Sequence, residues 1–322
     1  MKERVIPQIS VVIPVFNEEK NVVILHRELF IVLNKLKIRS EIIFVDDGST
    51  DNTFTVLSKL HSVKIIRLRR NSGQTIALKT GLDESQGEII VTLDGDLQNN
   101  PKDIPKLLKK INDGYDLVNG WRRWRRDVIS KTIPSKIANW MISKISGVYI
   151  RDNGCALKAF RRELISDIDL HGEMHRFIPT LAAWRGAKIA EIEVNHRKRI
   201  SGISKYGISR IPKVILDLIT IKFLFNYFDR PMRIFGSTGI IFILIGTVVS
   251  FILAWNRVIH GVPLSNRPLV LVGAFFVVIG FQFVYFGLLA EIAIRIYYRL
   301  GQKDSYIIKE ILVNGKNYSK RR

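Results

Sequence analysis

Glu88-Ile89-Ile90-Val91-Thr92-Leu93-Asp94-Gly95-Asp96-Leu97-Gln98 begins as a short apolar run and ends in two aspartates separated by one glycine. A run of that length bounded by turn residues reads as a strand, so both carboxylates emerge together at its carboxyl end. Hard divalent cations such as Mg²⁺ take one or two carboxylates and leave other positions to phosphate oxygens. The pair therefore suits a nucleotide diphosphate held through a metal, with the ion stabilising charge on the leaving diphosphate. A lone Asp-x-Asp is also common turn chemistry, and Asn100-Pro101 just downstream has the form of an N-cap and first helical residue.

Upstream, Ile9 to Phe16, Glu41 to Val45 and Val63 to Leu68 are further runs of strand length, separated by longer mixed-polarity segments that read as helices. Alternation of this kind predicts an α/β domain, Rossmann-like, with a mostly parallel sheet and helices on both faces. Ligands in such sheets lie beyond the carboxyl ends of the strands. Those ends are polar in every case: Pro14-Val15-Phe16-Asn17-Glu18-Glu19, Asp46-Asp47-Gly48-Ser49-Thr50-Asp51, Arg69-Arg70-Asn71-Ser72-Gly73-Gln74 and Asp94-Gly95-Asp96-Leu97-Gln98. Any one could be turn or cap chemistry; four on one rim point to a site. No G-x-G-x-x-G follows the first strand, which disfavours dinucleotide binding. An aspartyl-nucleophile phosphatase would carry its acidic pair near the first strand, with Thr or Val in place of Gln98.

The last third is far more apolar. Ile234 to Trp255 and Leu269 to Ala290 each approach the roughly 20 apolar residues that span a bilayer, and neither contains Asp, Glu, Lys or Arg. The formal net charge of +21 across 322 residues would suit nucleic acid as a partner, but the basic residues crowd against these runs. Arg197, Lys198, Arg199, Lys205, Arg210, Lys213, Lys222, Arg230 and Arg233 precede the first; Arg295, Arg299, Lys303, Lys309, Lys316, Lys320, Arg321 and Arg322 follow the second. The positive-inside rule puts both flanks, the N-terminal domain and both termini in the cytoplasm, with the loop Asn256 to Pro268 outside. Basic flanks also attract anionic head groups, so the expected partner is a lipid bilayer and not nucleic acid. The opening residues are too short and strand-like for a secretory signal, and the one cysteine, Cys155, makes no internal disulfide.

Two amphipathic stretches carry lysines: 131–145, expected to face either the core or the bilayer surface, and 211–228, expected as an interfacial helix. The organisation that follows is a domain over 1–210, a juxtamembrane helix over 211–233, a two-helix hairpin over 234–294 with spans 234–255 and 269–290, and a basic tail over 295–322. Gly239 and Gly246 are seven apart, as are Gly273, Gly280 and Gly287. Such stripes permit close helix approach, either within the hairpin or between copies of the chain, and they motivate a homo-oligomer through the membrane helices.

The strand-end motifs, in this order and spacing, resemble the nucleotide-sugar half of family 2 glycosyltransferases with the GT-A fold. The further runs Arg151-Asp152-Asn153-Gly154-Cys155-Ala156-Leu157-Lys158, His175-Arg176-Phe177 and Arg197-Lys198-Arg199-Ile200-Ser201-Gly202-Ile203-Ser204-Lys205-Tyr206 resemble the polyprenyl-phosphate branch. That branch includes dolichyl-phosphate mannose synthases and bactoprenol glucosyltransferases, and the two-span tail is most similar to the bacterial group.

The resemblance implies that Pro14, Asn17, Glu18 and Asp46 line the base and ribose pocket, with Asp94, Asp96 and Gln98 holding Mg²⁺ or Mn²⁺ and the diphosphate. Asp152, beside acceptor and sugar, is the implied catalytic carboxylate together with Asp96. Arg122, Arg199 and Lys205 are cations suited to phosphate, as are His175 and Arg176 at the acceptor phosphate. The implied reaction is an inverting transfer of glucose from UDP-glucose to undecaprenyl phosphate in a bacterial inner membrane, for cell-envelope glycosylation. The alternatives are a GDP-mannose-dependent polyprenyl-phosphate mannosyltransferase, a non-catalytic membrane scaffold or lipid transporter, and a hydrolase that releases sugar phosphate. A processive polysaccharide synthase would show Gln-x-x-Arg-Trp and more spans.

Overall fold

The structure, a computed structural model, describes residues 7–123, 143–144, 147–166, 168, 170, 172, 174–197, 231–261, 263–264, 267–300, 308–313 and 316–317. Arg199, Lys205, the stretch 211–228 and nearly all of 131–145 lie outside the described residues. The chain divides into two units, Met1–Leu218 with Asp304–Arg322, and Ile219–Lys303.

In the first unit the apolar runs form β1 (Ile9–Val15), β2 (Ser40–Asp46), β3 (Lys64–Leu68) and β4 (Ile89–Thr92), interleaved with α1 (Val22–Leu36), α2 (Thr53–Ser58) and α3 (Gln74–Asp83). β1 pairs in parallel with both β2 and β4, and β2 with β3. β1 and β2 are buried along nearly their whole length because helices cover both faces, which is why their sequences are continuous apolar runs and not alternating ones. On one face Val11, Ile13 and Phe44 pack with Leu25 and Leu29 of α1; each such buried side chain contributes about 1.5–3 kcal/mol. On the other, α3 comes so near that a Cβ on Gly81 would lie 2.3 Å from Val12 Cγ1.

Beyond β4 the order is α4 (Ile104–Asn112), β5 (Leu117–Trp121), β6 (Lys158–Arg161), α5 (Arg162–Ser166), α6 (Ile178–Trp184) and β7 (Ile189–Glu193). β6 runs antiparallel between β4 and β5, whereas β7 lies parallel to β5. The segment expected as a basic tail supplies β8 (Ile308–Val313) and β9 (Lys316–Asn317), and β8 pairs antiparallel with β3. The sheet order is therefore β7-β5-β6-β4-β1-β2-β3-β8-β9, a parallel centre with antiparallel additions on either side. Strand order reverses between β1 and β4, the switch point at which open α/β sheets leave a crevice.

The second unit is a hairpin of α7 (Met232–His260) and α8 (Pro268–Leu300). Their apolar stretches have mean hydropathies of 2.3 and 2.4, and only 17% and 11% of the residues are buried, so these are not core helices of a soluble fold. Ile240, Leu244, Phe251, Leu271 and Phe275 point outward, as lipid-facing residues do. The glycine stripes face each other within the hairpin: a Cβ on Gly239 would lie 2.6 Å from the Gly280 carbonyl oxygen, and one on Gly246 the same distance from that of Gly273. Of the two uses the sequence left open for the stripes, this is the first.

Candidate active site

The loops after β1, β2 and β3 are stitched to one another. Asn17 takes a left-handed backbone (φ 57°), which asparagine tolerates. Its N–H donates to Ser49 Oγ at 2.9 Å, and its side-chain Oδ1 accepts from the Thr50 N–H at 2.8 Å. The Glu18 N–H donates to Thr53 Oγ1, while the Glu18 carboxylate accepts from Asn21. Asp47, which the sequence did not single out as a site residue, accepts from the Ser72 and Gly73 N–H groups at 2.7 and 2.9 Å and so ties the second loop to the third. Gly48 makes this approach possible, since a Cβ there would lie 2.6 Å from the Arg70 carbonyl carbon.

Pro14 stands on β1 opposite Val45, next to Asp46. Asp46 is fully buried; Oδ1 accepts from the Ser49 N–H, and Oδ2 lies 3.6 Å from Arg67 Nε without accepting a hydrogen bond. A buried acceptor with spare capacity calls for a donor. Arg67 also covers the Phe54 ring at 4.2 Å. Of the four residues expected at the nucleoside, Pro14 and Asp46 thus sit at adjoining strand ends, whereas the Asn17 side chain and the Glu18 backbone N–H join loops and the Glu18 carboxylate bonds Asn21 in its own loop.

After β4 the chain turns through the acidic pair. Leu97 is buried in the left-handed region at φ 62°, a strained conformation for a leucine. Asp96 Oδ1 accepts from the Gln98 N–H, closing this turn, and Gln74 Nε2 donates to Asp94 Oδ1 at 2.7 Å. Burial, then the charge of Asp96, push Asp94 up to about 6, against the pull of Arg122, Lys158 and Arg176. Two crowded carboxylates at a strand end are a donor set of hard oxygens. The described residues contain no cluster of three or more Asp, Glu, His or Cys that would hold a metal unaided. Such a pair fits an ion whose shell is completed by diphosphate oxygens and water.

Asp152 is buried and forms a two-pronged ion pair with Arg122, Nε to Oδ2 at 2.7 Å and Nη2 to Oδ1 at 2.9 Å. Burial works against the Arg122 charge, but Asp152 outweighs it and holds the guanidinium protonated well above its usual range. Arg122, expected as a phosphate ligand, is thus engaged by the carboxylate expected to act in catalysis. Lys158, three residues past Cys155, is buried and donates to the Cys155 carbonyl; burial pushes its ammonium down, while Cys155, Asp152 and Asp94 oppose that shift. His175 Nδ1 bonds Thr75 Oγ1 at 2.6 Å, and Arg176 lies within the field of Asp94, so the 174–176 turn reaches the start of α3 beside Gln74. Gln74 and Lys158 were within quoted motifs but carried no distinguishing signal.

A parallel-centred sheet with paired carboxylates at its switch point, and basic groups gathered round them, is the arrangement expected of a glycosyltransferase of the GT-A fold. The family description "Glycosyl transferase family 2" matches residues 10–169. The chain is 39% identical over 313 residues to dodecaprenyl-phosphate galacturonate synthase of Rhizobium johnstonii, covering 94% of this chain and 93% of that one. It is 34% identical over 318 residues to undecaprenyl-phosphate 4-deoxy-4-formamido-L-arabinose transferase of Photorhabdus laumondii, covering 97% and 96%. Among solved structures, mannosyl-3-phosphoglycerate synthase from Rubrobacter xylanophilus superposes with a TM-score of 0.54 at 16% identity, over 67% of this chain and 74% of that one. Glucosyl-3-phosphoglycerate synthase from Mycobacterium tuberculosis, in complex with Mn²⁺, uridine diphosphate and glucosyl-3-phosphoglycerate, gives 0.52 at 18%, over 68% and 79%. These two likenesses concern the fold alone. The chain belongs to glycosyltransferase family 2.

Proposed function

We propose that this enzyme transfers a sugar from a nucleoside diphosphate to polyprenyl phosphate at the inner face of a membrane, with inversion at the sugar carbon. The observation that carries the reading is the adjoining of the Asp94–Asp96 pair and the Arg122–Asp152 pair at one strand rim, in a chain whose full-length relatives are named for polyprenyl-phosphate products. Asp46, with its spare buried acceptor, would receive a ribose or base donor beside Pro14. Asn17 and Glu18 would shape that pocket by joining its loops. Asp94, Asp96 and Gln98 would hold Mg²⁺ or Mn²⁺, and the bound ion would offset the charge developing on the departing diphosphate.

The acceptor phosphate monoester is largely ionised at neutral pH, so the chain need not supply a strong general base. Its task is to bring two anions together, which positioning and fixed cations achieve. Arg122 holds Asp152 in one orientation; Asp152 then orients the acceptor phosphate or a sugar hydroxyl. Arg176, His175 and, outside the described residues, Arg199 and Lys205 would neutralise acceptor and diphosphate oxygens.

Topology is read from charge and connectivity. β7 and β8 lie in one sheet, one before the hairpin and one after it, which supports an even number of crossings with both flanks on one side. The basic residues of those flanks make that side cytoplasmic. The domains would be the 1–210 catalytic part, an interfacial helix over 211–233, the hairpin and a returning C-terminal segment. A homo-oligomer would have to use outward residues such as Leu244 and Phe251, because the glycines are occupied within the hairpin.

For the sugar, we place galacturonate first, after the relative at 39% identity, and glucose second, after the resemblance to bactoprenol glucosyltransferases. The test offers purified protein a panel of labelled UDP- and GDP-sugars with undecaprenyl phosphate, and Mg²⁺ or Mn²⁺ present or chelated. Metal-dependent label in the lipid extract from one donor is the expected result. Sugar or sugar phosphate released without lipid would instead make the protein a hydrolase.

A further inference from the structure

Asp152 sits in the segment between Gly147 and β6, which has no strand ladder to satisfy its main-chain groups. Buried N–H and C=O groups still require partners. Glu191 of β7 supplies acceptors: its Oε1 and Oε2 each lie 3.1 Å from the Arg151 N–H nitrogen, and Oε1 lies 3.4 Å from that of Asp152. Asn119 of β5 takes the other side, donating from Nδ2 to the Asp152 carbonyl at 3.0 Å and to Glu191 Oε1 at 3.3 Å.

This arrangement is set by strand register. Asn119 and Glu191 are direct partners in the parallel β5–β7 ladder, so their side chains leave the sheet on the same face. A one-residue slip of β7 would send Glu191 to the opposite face and release the loop. The third fixed point is Arg122, just past the end of β5, which grips the Asp152 carboxylate. Backbone amide, backbone carbonyl and side chain of one residue are thereby each held by a different group.

We propose that Glu191 is a positioning residue for Asp152, aligned by Asn119, and that it sets the orientation of the Asp152 carboxylate toward the reacting groups. This rests on the reading of Asp152 given above. Glu191 borders a surface cavity of about 340 Å³ with Tyr149, Ile150 and Arg151, so truncating it enlarges an existing space and opens no void in the core. Groups that orient the ligands of a metal site matter by about 10–100-fold, and a small misplacement of a reacting group carries a comparable loss.

The experiment compares Glu191→Ala, Glu191→Gln and Asp152→Asn in the full chain. It reads kcat for lipid-linked sugar, nucleotide affinity by calorimetry, and melting temperature. Glu191→Ala is expected to lower kcat about 10–100-fold with nucleotide affinity close to wild type and the melting temperature lowered by only a few degrees. Glu191→Gln, which keeps one acceptor oxygen, is expected to lose less than Glu191→Ala. Wild-type kcat in both Glu191 variants, with Asp152→Asn inactive, would overturn this proposal and leave the role of Asp152 standing. Full activity of Asp152→Asn would overturn that role and this proposal with it. Parallel loss of kcat, nucleotide affinity and melting temperature, or an unfolded Glu191→Ala beside a wild-type Glu191→Gln, would make Glu191 structural and overturn it as well.

Discussion

Removing both members of the Arg122–Asp152 pair should cost less than the sum of removing each alone. Asp152 is almost wholly buried and the Arg122 side chain 15% exposed. Arg122→Ala deletes two short charge-assisted hydrogen bonds to the carboxylate and keeps the one from the residue-122 N–H at 3.2 Å. Breaking a buried pair costs about 3–5 kcal/mol; water entering along the partly open Arg122 side lowers the expectation to about 3 kcal/mol. Asp152→Ala strands the guanidinium and should cost about as much. The double variant buries no orphan charge, so it should fall short of the summed single losses by about 2–3 kcal/mol. Urea unfolding followed by tryptophan fluorescence reports on this region through Trp121, whose ring carries Arg151 at 4.5 Å. Urea leaves the ion pair unscreened, unlike guanidinium. Additivity within about 0.5 kcal/mol would refute the coupling, and wild-type transfer by Arg122→Ala would refute its functional use.

With the metal chelated, stability should fall as pH rises from about 4 to about 6, because folded Asp94 titrates near 6 and holds a proton that the unfolded chain has released. The expected amplitude is on the order of 1–3 kcal/mol; Asp94→Asn should abolish it, and melting curves across that range check both. Gly48→Ala combines a left-handed φ of 68° with a Cβ 2.6 Å from the Arg70 backbone, so it should displace the Asp47 clamp and weaken nucleotide binding about tenfold, measured by calorimetry, for a strain of about 1–2 kcal/mol. Gly246→Leu should separate α7 from α8, where the Gly273 carbonyl leaves no room, and lower the melting temperature in detergent while a soluble nucleotide remains bound.

The first four strands were legible because each is a continuous apolar run ended by turn residues, and β1 to β4 begin and end within a residue or two of those runs. The acidic pair was legible because a strand followed by Asp-x-Asp fixes where both carboxylates emerge. What was not legible depends on register between distant segments. Glu191 reads as an ordinary charged residue in a strand until β7 is placed beside β5. Asn17 and Glu18 read as ligand groups because sequence does not reveal that Thr50 of the neighbouring loop already engages the Asn17 side chain and Asn21 the Glu18 carboxylate. β8 was hidden in a basic segment, where charge suggested a head-group contact and only its pairing with β3 identifies a strand. The glycine stripes fixed that helices approach closely, but not which helices.

The most direct test of lipid-linked transfer follows labelled sugar from the accepted nucleotide donor into the organic phase, with and without undecaprenyl phosphate, for the wild type and Asp96→Ala. A lipid-linked sugar phosphodiester should form only with acceptor and divalent metal, and none from a folded Asp96→Ala. Acceptor-independent release of sugar, or undiminished lipid product from Asp96→Ala, would contradict that expectation.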